Sequence, residues 1–235
     1  MRKNYALTYS GISLSDYSCY FDGSQSFRIP QKMVDTYSVV GKNGDLSIDQ
    51  KKYSNITIPF NCFITRDFIT NYMSLMNKLM SQEGYGRLET TEEPDVYRMA
   101  LFNAETQPTT WALNESGTFT LEFDCKPQKW LKSGETAITV TGTQTLVNPC
   151  QMASKPLIEV VGTGSVTIGT SVLALSTNTS TTYIDCEIQD AYEGTINRNP
   201  ALTVTNGFPE LVSGSNTVTV TGFTSCKITP RWWRL

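Results

Sequence analysis

Carboxylate pairs are the side chains of this sequence that could most readily do catalytic chemistry. Two groups have suitable spacing, Glu122 with Asp124, and Asp185 with Glu187 and Asp190. Residues two apart on a strand share a face, so Asp185 and Glu187 could project into one groove, as the two acids of a glycosidase do. The same alternation also places acidic pairs on ordinary solvent-facing strands. The pattern therefore does not indicate an active site, and we expect no enzymatic activity.

Residue types that are missing or scattered exclude several other kinds of site. The sequence contains no histidine, so Ser-His-Asp triads, Cys-His dyads and histidine-ligated zinc sites cannot form within the chain. No Cys-x-x-Cys pair occurs, and the six cysteines are Cys19, Cys62, Cys125, Cys150, Cys186 and Cys226. We interpret them as buried thiols of a protein made in a reducing cytoplasm, with a partial disulfide set in a secreted protein as the alternative. We expect no metal and no cofactor.

Length and charge limit the fold and the partners. At 235 residues, of which 39% are hydrophobic, the chain can form one large β domain or two smaller ones. A net charge of −3 argues against general nucleic-acid binding, which requires a basic surface. No apolar run approaches the roughly 18–20 residues of a membrane span. The start of the chain also lacks the apolar region of a signal peptide, so neither membrane insertion nor export is expected.

One long segment, residues 66–82, has helical periodicity. Its apolar residues recur at three- and four-residue spacing on one face, which consists of Phe68, Tyr72, Leu75, Met76 and Leu79, widened by Ile69, Met73 and Met80. Thr65 is the expected N-cap, and Gly84 can provide a left-handed stop. We expect this helix to lie across a sheet and close its core. A methionine-rich groove for a partner is the alternative.

A polar, glycine-punctuated segment, residues 41–55, separates two predicted strands at 37–40 and 56–64. Its sequence is GKNGDLSIDQKKYSN, which is long for a simple turn. Gly44 followed by Asp45 permits a tight reversal within it. The segment could be a solvated loop, or it could be a hairpin arm that leaves its domain and grips a neighbouring subunit.

Composition changes after residue 132. Residues 133–235 contain 29 Ser or Thr but only 12 charged residues, whereas the first 132 residues contain 15 acidic and 14 basic residues. The second part has short alternating runs, such as 157–161 and 166–168, and predicted hairpin turns at 162–165 and 169–170. Such spacing is typical of a β-sandwich. We therefore predict two domains, 1–132 and 133–235.

Aromatic residues of the second domain could stack on sugar rings. They are Tyr183, Tyr192, Phe208, Phe223, Trp232 and Trp233. The same side chains could instead fill the core of the sandwich. Because adjacent residues on a strand face opposite ways, one of Trp232 and Trp233 could be buried while the other meets a partner.

The order of these elements, together with three short motifs, resembles the distal tail proteins of siphophages, the phages with long flexible tails. The first motif is Val39-Val40-Gly41-Lys42-Asn43-Gly44-Asp45-Leu46, followed by a strand and the helix. The second is Tyr183-Ile184-Asp185-Cys186. The third comprises Phe208-Pro209-Glu210-Leu211, Gly214-Ser215-Asn216 and Pro230-Arg231-Trp232-Trp233. The likeness extends over the whole chain. Lys42 departs from it, since the family often has arginine there, and lysine lacks the bidentate fork of arginine.

This resemblance implies a mainly β (α+β) chain with a tail-tube-like N-terminal domain, which contains helix 66–82 and arm 41–55, and a galectin-like C-terminal sandwich. The arm between subunits would include Gly41, Lys42, Asn43, Gly44, Asp45 and Leu46. The structural motif of the C-terminal domain would include Phe208, Pro209, Gly214, Asn216, Arg231, Trp232 and Trp233.

The resemblance also implies a structural role in the virion, after synthesis in the host cytoplasm. The family forms a homo-hexameric ring at the distal end of the tail, between the tail-tube protein and the tail-tip hub protein. Its outer sandwich would dock receptor-binding components. Double-stranded DNA would pass through the ring without specific binding, and a mildly acidic chain suits that passage because a basic lining would retain DNA.

Two alternatives remain open. One is a carbohydrate-binding sandwich that aids host adsorption, although no Trp-Glu-Arg cluster typical of a sugar site occurs in mid-domain. The other is a tail-tube subunit, which would stack into long tubes.

Overall fold

The protein is described by a computed structural model that covers residues 5–23, 28–103, 105–111, 114–176 and 180–235. The chain divides into two compact units, Met1–Lys129 and Trp130–Arg234, and each has its own hydrophobic core. Within the described residues the chain is mainly β with one α-helix. The predicted fold class is therefore confirmed. The division between the units falls three residues before the point where the composition changes.

The first unit is built on an antiparallel sheet. In chain order, its described elements are β1 (Leu7–Tyr9), β2 (Ile12–Ser13), β3 (Cys19–Phe21), β4 (Lys32–Ser38), β5 (Asp45–Tyr53), β6 (Ile56–Ile64), α1 (Phe68–Met80), β7 (Gly86–Thr90), β8 (Val96–Phe102), β9 (Thr109–Trp111) and β10 (Ser116–Cys125). The sheet has the order β2-β1-β7-β8-β10-β6-β3, and β9 also pairs with β10. Strands β4 and β5 form a separate two-stranded sheet.

The core of the first unit forms where β6 and β10 alternate apolar and polar residues in register. Phe60 lies opposite Leu121, and Ile58 lies opposite Phe123. All four side chains are buried, as expected where residues two apart share one face. The ring centroids of Phe60 and Phe123 are 5.8 Å apart in an edge-to-face arrangement, a favoured geometry for aromatic pairs. This alternation fixes the register of the strands that support α1.

Helix α1 lies within the predicted range 66–82 and packs on this sheet as expected. Phe68, Leu75 and Leu79 are buried, and the ring of Tyr72 meets that of Phe119 on β10 at 5.0 Å between centroids. Gly84 adopts the predicted left-handed conformation, with φ of 67°. The apolar face is covered over only part of its width, because Ile69, Met73 and Met80 remain exposed.

The predicted N-cap of the helix is wrong. Asp67, not Thr65, occupies the cap position, with a left-handed φ of 48° and no side-chain capping bond. Strand β6 ends at Ile64, and the following residues are used to turn the chain toward the helix. The Phe68 N–H, at the first position of the helix, donates instead to the carbonyl oxygen of Glu115, at 3.2 Å, so a neighbouring loop does what a capping side chain would do.

The predicted arm is one strand and the tip of a longer hairpin. The hairpin runs from Lys32 to Tyr53, and its strands β4 and β5 pair in antiparallel register. Gly41 and Gly44 lie in the reversal with φ of 79° and 84°, values that glycine adopts without the steric cost of a side chain. Residues 45–53, predicted as part of a polar arm, form the returning strand.

The second unit is a sandwich of two antiparallel sheets. Its strands follow β11 (Lys129–Leu131), which spans the boundary, and are β12 (Ile138–Thr139), β13 (Thr143–Asn148), β14 (Leu157–Val161), β15 (Gly164–Ile168), β16 (Ser171–Leu175), β17 (Thr181–Asp185), β18 (Asp190–Glu193), β19 (Ile196–Asn197), β20 (Leu202–Thr205), β21 (Gly214–Thr221), β22 (Ser225–Thr229) and β23 (Trp233–Arg234). One sheet has the order β12-β22-β14-β17-β18-β19 and the other β13-β21-β15-β16-β20. Buried residues from both sheets, such as Ile158 and Val166, share one core.

One of the two predicted hairpin turns is wrong. Residues 169–170 do join a hairpin, since β15 pairs with β16. Residues 162–165 instead connect the two sheets, because β14 pairs with β17 and β22. A Cβ on Gly164 would lie 2.2 Å from the carbonyl oxygen of Thr221. Only glycine permits this approach. It places β15 beside β21, in the sheet opposite to the one that contains β14.

Candidate interaction surfaces

The β4–β5 hairpin has one apolar face and one polar face. Tyr37 lies opposite Leu46, and Asp35 lies opposite Ile48 on the same face. The exposed fractions of Tyr37, Leu46 and Ile48 are 54%, 55% and 49%. The carboxylate of Asp35 accepts a hydrogen bond from Gln50 Nε2 at 2.7 Å. We call Tyr37, Leu46 and Ile48 the hairpin face; it is an apolar surface open to solvent.

The opposite face of the hairpin is mainly polar, although the exposed Val34 lies on it, opposite Asp49. Thr36 lies opposite Ser47, and Ser38 lies opposite Asp45. At the base, Lys32 Nζ is 2.7 Å from Asp49 Oδ2. Their hydrogen bond raises the pKa of the Lys32 ammonium and lowers the pKa of the Asp49 carboxyl. Because both side chains are exposed, this pair contributes little to stability, and the hairpin gains no core of its own from it.

A second exposed apolar surface lies on α1. Ile69, Met73 and Met80 have exposed fractions of 56%, 58% and 62%. At about 100° per residue, these three positions lie within roughly 40° of one another around the helix axis. The polar positions Ser74 and Lys78 lie farther around the helix. We call Ile69, Met73 and Met80 the helix stripe.

A groove of about 610 Å³ opens on the outer face of β6 and β10. Its lining mixes aromatic and polar side chains, and includes Asp22, Asn61, Phe63, Trp111, Thr118 and Thr120. Thr120 Oγ1 donates to Asn61 Oδ1 at 3.2 Å, and Trp111 is half exposed. Sequence analysis did not identify this groove, because β9 and β10 come together only through their pairing.

The candidate carboxylates of the second unit are held in structural bonds. Asp185 is buried and accepts two hydrogen bonds from Arg231, each 2.8 Å long. Burial would raise the pKa of the Asp185 carboxyl, but the Arg231 guanidinium and the Glu187 N–H lower it below its usual range. Asp190 accepts hydrogen bonds from Asn199 Nδ2 and from the Ala191 N–H.

The first candidate pair, Glu122 and Asp124, lies on the outward face of β10. Asp124 accepts a hydrogen bond from Asn55 Nδ2 at 3.1 Å, and Glu122 lies exposed on the outer face of β10. The two acids face solvent on the strand, and neither of them lines the groove on β6 and β10. Neither carboxylate group therefore forms an opposed acid pair around a shared cleft.

The predicted motif of the C-terminal domain is a set of turn and core residues. Asn216 bonds four backbone groups: its Nδ2 donates to the carbonyl oxygens of Val212, Gly214 and Leu146, and its Oδ1 accepts from the Val212 N–H at 2.8 Å. Gly214 begins β21 with φ of 81°. Pro209 is buried and Phe208 packs on the core.

The aromatic candidates for sugar stacking are occupied within the second unit. Trp232 is buried, and Trp233 donates from Nε1 to the carbonyl oxygen of Ala153 at 2.9 Å. Phe208 and Phe223 pack against the core. The rings of Tyr183 and Tyr192 stack on each other, 5.7 Å apart and tilted by 22°. Each tyrosine therefore covers one face of the other ring.

The cysteines are free and buried, as predicted. Burial raises the pKa of Cys125, Cys186 and Cys226 to about 12. These thiols stay protonated near neutral pH and are poor nucleophiles and metal ligands. Among the described residues, no group of three acidic or cysteine side chains has the geometry of a metal site. No helix of the described ranges is long and apolar enough to cross a bilayer.

Comparisons with known proteins give matches in structure and none in sequence. No family model matches the chain, and no curated protein sequence does. The crystal structure of the Dit protein of phage SPP1, described as a hub adsorption apparatus of phages that infect Gram-positive bacteria, superposes with a TM-score of 0.77 over 99% of this chain and 100% of that one, at 14% identity. Chains of the phage p2 baseplate, in activated conformations with Ca and with Sr, give TM-scores of 0.53 and 0.54 at 11% identity, over at least 97% of both chains. The chain thus has the Dit fold, and the resemblance seen in the sequence is confirmed at the level of the fold.

Proposed function

We propose that this chain is a structural protein of a bacteriophage tail that forms a homo-hexameric ring at the distal end of the tail tube. The ring joins the tail-tube protein to the hub protein of the tail tip. It lets double-stranded DNA pass through its channel, and the net charge of −3 favours passage over retention. The protein acts by assembly and not by catalysis.

The hairpin face supports this proposal most directly. A two-stranded hairpin alone is marginally stable in water, and exposed contiguous apolar surface marks an interaction site. Here Tyr37, Leu46 and Ile48 lie side by side without cover. A neighbouring subunit that covers this face would remove its apolar area from water, at about 25 cal/mol per Å². The Gly41–Leu46 turn region would then be the arm that crosses between subunits.

The structural similarity supports the proposed place of the protein at the tip of a phage tail. The chain superposes on the Dit protein of phage SPP1 over 99% of this chain and 100% of that one. In the proposed ring, the first unit builds the channel and the second unit, a galectin-like sandwich, docks receptor-binding or other tail-tip components.

The test compares two substitutions at adjacent positions of β5. Leu46→Asp places a charge on the hairpin face, whereas Ser47→Asp places the same charge on the polar face one residue away. We expect Leu46→Asp to give folded single chains and Ser47→Asp to retain rings, measured by light scattering and negative-stain microscopy. Intact rings from Leu46→Asp would contradict the proposed arm.

The same micrographs distinguish the two alternatives. A tail-tube subunit would form long tubes instead of closed rings. A monomeric carbohydrate-binding module would remain single and bind glycans, but the mutual stacking of Tyr183 and Tyr192 and the burial of Trp232 do not favour it.

A further inference from the structure

Exposed large apolar side chains of the first unit concentrate on two elements. Among the described residues, seven lie on the hairpin and its tip, at Met33, Val34, Tyr37, Val39, Val40, Leu46 and Ile48, and three form the helix stripe. Both surfaces stay exposed in the same chain, so they do not cover each other within one subunit. This leaves two separate apolar surfaces on one unit.

A closed ring requires two such surfaces. In a heterologous interface, one patch of each subunit binds a different patch of the next, and repeated rotation closes the ring. We propose that the hairpin face of one subunit lies on the helix stripe of its neighbour. This inference rests on the proposed ring and names the acceptor of its arm.

The chemistry of the stripe matches the hairpin face. Ile69, Met73 and Met80 have no group that must lose a hydrogen bond to water when covered, and the flexible thioethers of methionine adapt to an irregular partner surface. Leu46 and Ile48 likewise lose no polar contact. The interface therefore gains from apolar burial at these positions, and the Asp35 carboxylate on the same face of the hairpin has a hydrogen-bond partner within its own chain, Gln50 Nε2.

The groove on β6 and β10 is a poorer acceptor for this face. Its Asn61, Thr118 and Thr120 side chains are polar, and polar side chains that an apolar face covers lose their hydrogen bonds to water. The hairpin face offers mainly apolar side chains, those of Leu46 and Ile48, as partners. The groove therefore provides the competing outcome of the test.

Disulfide trapping between subunits tests the contact. Leu46→Cys is combined with Met73→Cys in one chain, with Ser74→Cys in a matched control on the polar side of the helix, and with Thr118→Cys to probe the groove. The native cysteines are at most 6% exposed, so they contribute little background. After oxidation with diamide, which takes up two hydrogens as two thiols form one disulfide, we expect a ladder of covalent oligomers up to six chains for Leu46→Cys/Met73→Cys only.

Each outcome is decisive. A ladder from the Thr118→Cys pair, or from no pair while rings are visible, would overturn the helix stripe as the acceptor and leave the proposed ring intact. Absence of rings in the unmodified protein would instead refute the proposed function.

A second measurement does not depend on cysteine chemistry. Met73→Asp is expected to abolish rings while the circular dichroism spectrum and melting temperature stay those of the unmodified protein. Ser74→Asp, next to it on the polar side, is expected to retain rings. Rings in Met73→Asp would contradict the inference.

Discussion

Asp185 and Arg231 show how a residue pattern that suggests catalysis can be structural. The guanidinium of Arg231 meets both oxygens of the buried Asp185 carboxylate, and its second contact is Glu187 Oε2 at 3.5 Å. Burial would lower the pKa of Arg231, but its bonds to Asp185 raise it, so the arginine stays charged. The pair ties the end of β17 to the chain before β23.

The ion pair gives a pH-dependent stability. The folded-state pKa of Asp185 lies below its ordinary value, so its contribution is complete above the unfolded pKa of about 3.9 and is lost as pH falls through the folded value. Asp185→Asn should lower the free energy of unfolding by about 1.5–3 kcal/mol near neutral pH, since a charged hydrogen-bonding partner is lost. The difference in unfolding free energy between Asp185→Asn and the unmodified protein should become smaller below about pH 4. Urea denaturation across pH measures it.

An exposed pair provides the control for that prediction. Lys155 and Glu210 are 4.0 Å apart and about half exposed, so Glu210→Gln should change the free energy of unfolding by less than about 1 kcal/mol. The unfolding free energies of Asp185→Asn and the unmodified protein are compared from pH 7 to pH 3. A difference that stays constant over this range would contradict the assigned role of the Asp185 charge.

Asn216 gives a second prediction at the residue scale. Its side chain is buried and bonds the backbone of Val212, Gly214 and Leu146. Asn216→Ala leaves these groups without partners and should lower the free energy of unfolding by about 1–3 kcal/mol. The midpoint of chemical denaturation reports this loss. Ser215→Ala, at the exposed neighbouring position, should leave the midpoint nearly unchanged. Equal losses of unfolding free energy from the two substitutions would contradict the stabilising role of the Asn216 hydrogen bonds.

The sequence indicated some of these residues but not their partners. Pro209, Gly214 and Asn216 belong to the predicted motif of the C-terminal domain, and the structure places Gly214 at the start of β21 and Asn216 within it. The pairing of Asp185 with Arg231 spans 46 residues. No local periodicity encodes a contact of that separation, which forms only when β17 and β22 pair with β14 on its two sides.

At the scale of elements, periodicity predicted α1 and much of its packing. It placed Phe68, Leu75 and Leu79 on the face that is buried. It could not show that Ile69, Met73 and Met80 would stay exposed, because amphipathic spacing indicates which side is apolar and not how much of that side the sheet can cover. On the covered side, the ring of Tyr72 packs against that of Phe119 on β10.

The hairpin was only half recognised, for a similar reason. Residues 45–53 are polar enough to resemble a loop, yet Leu46 and Ile48 alternate with Ser47 and Asp49 and pair with β4. A strand without a core behind it has few apolar residues, so its alternation is weak. Such a strand is recognised from its cross-strand partners and not from its own sequence.

The hairpin should be the least protected element of a single subunit. Its strands pair only with each other, whereas β6 is paired on both sides by β10 and β3. In dissociated chains, amides of β4 and β5 should exchange with deuterium close to the unprotected rate, while those of β6 exchange slowly. Ring formation should slow exchange in β4 and β5. The measurement is hydrogen exchange with mass spectrometry at low and high protein concentration, and unchanged hairpin exchange in rings would contradict its burial between subunits.

At the scale of the whole molecule, each unit has a core that it builds from its own residues. A fragment of residues 130–234 should therefore fold alone and unfold in one cooperative transition, with β-rich circular dichroism. Starting at Trp130 matters, because its ring lies 6.4 Å from that of Trp233. A fragment that starts at residue 133 should melt at lower temperature. Equal melting temperatures for the two fragments would contradict this contribution of Trp130.

Composition changes near the division between the two units, whereas it carries little information on the topology of the strands. The change from charged to Ser/Thr-rich sequence lies close to the division between the units. The crossing of the chain from β14 to β15 between sheets was missed, because a Gly-Thr-Gly-Ser sequence also suits a hairpin. What decides between them is the close approach of Gly164 to the backbone of Thr221, a contact between distant parts of the chain.

Mass in solution, combined with negative-stain images of the same sample, tests the central claim most directly. The proposed ring predicts a particle of six chains, each of 26.2 kDa, with six-fold symmetry and an open centre. Particles of one chain at every concentration, or long tubes with no closed ring, would contradict it.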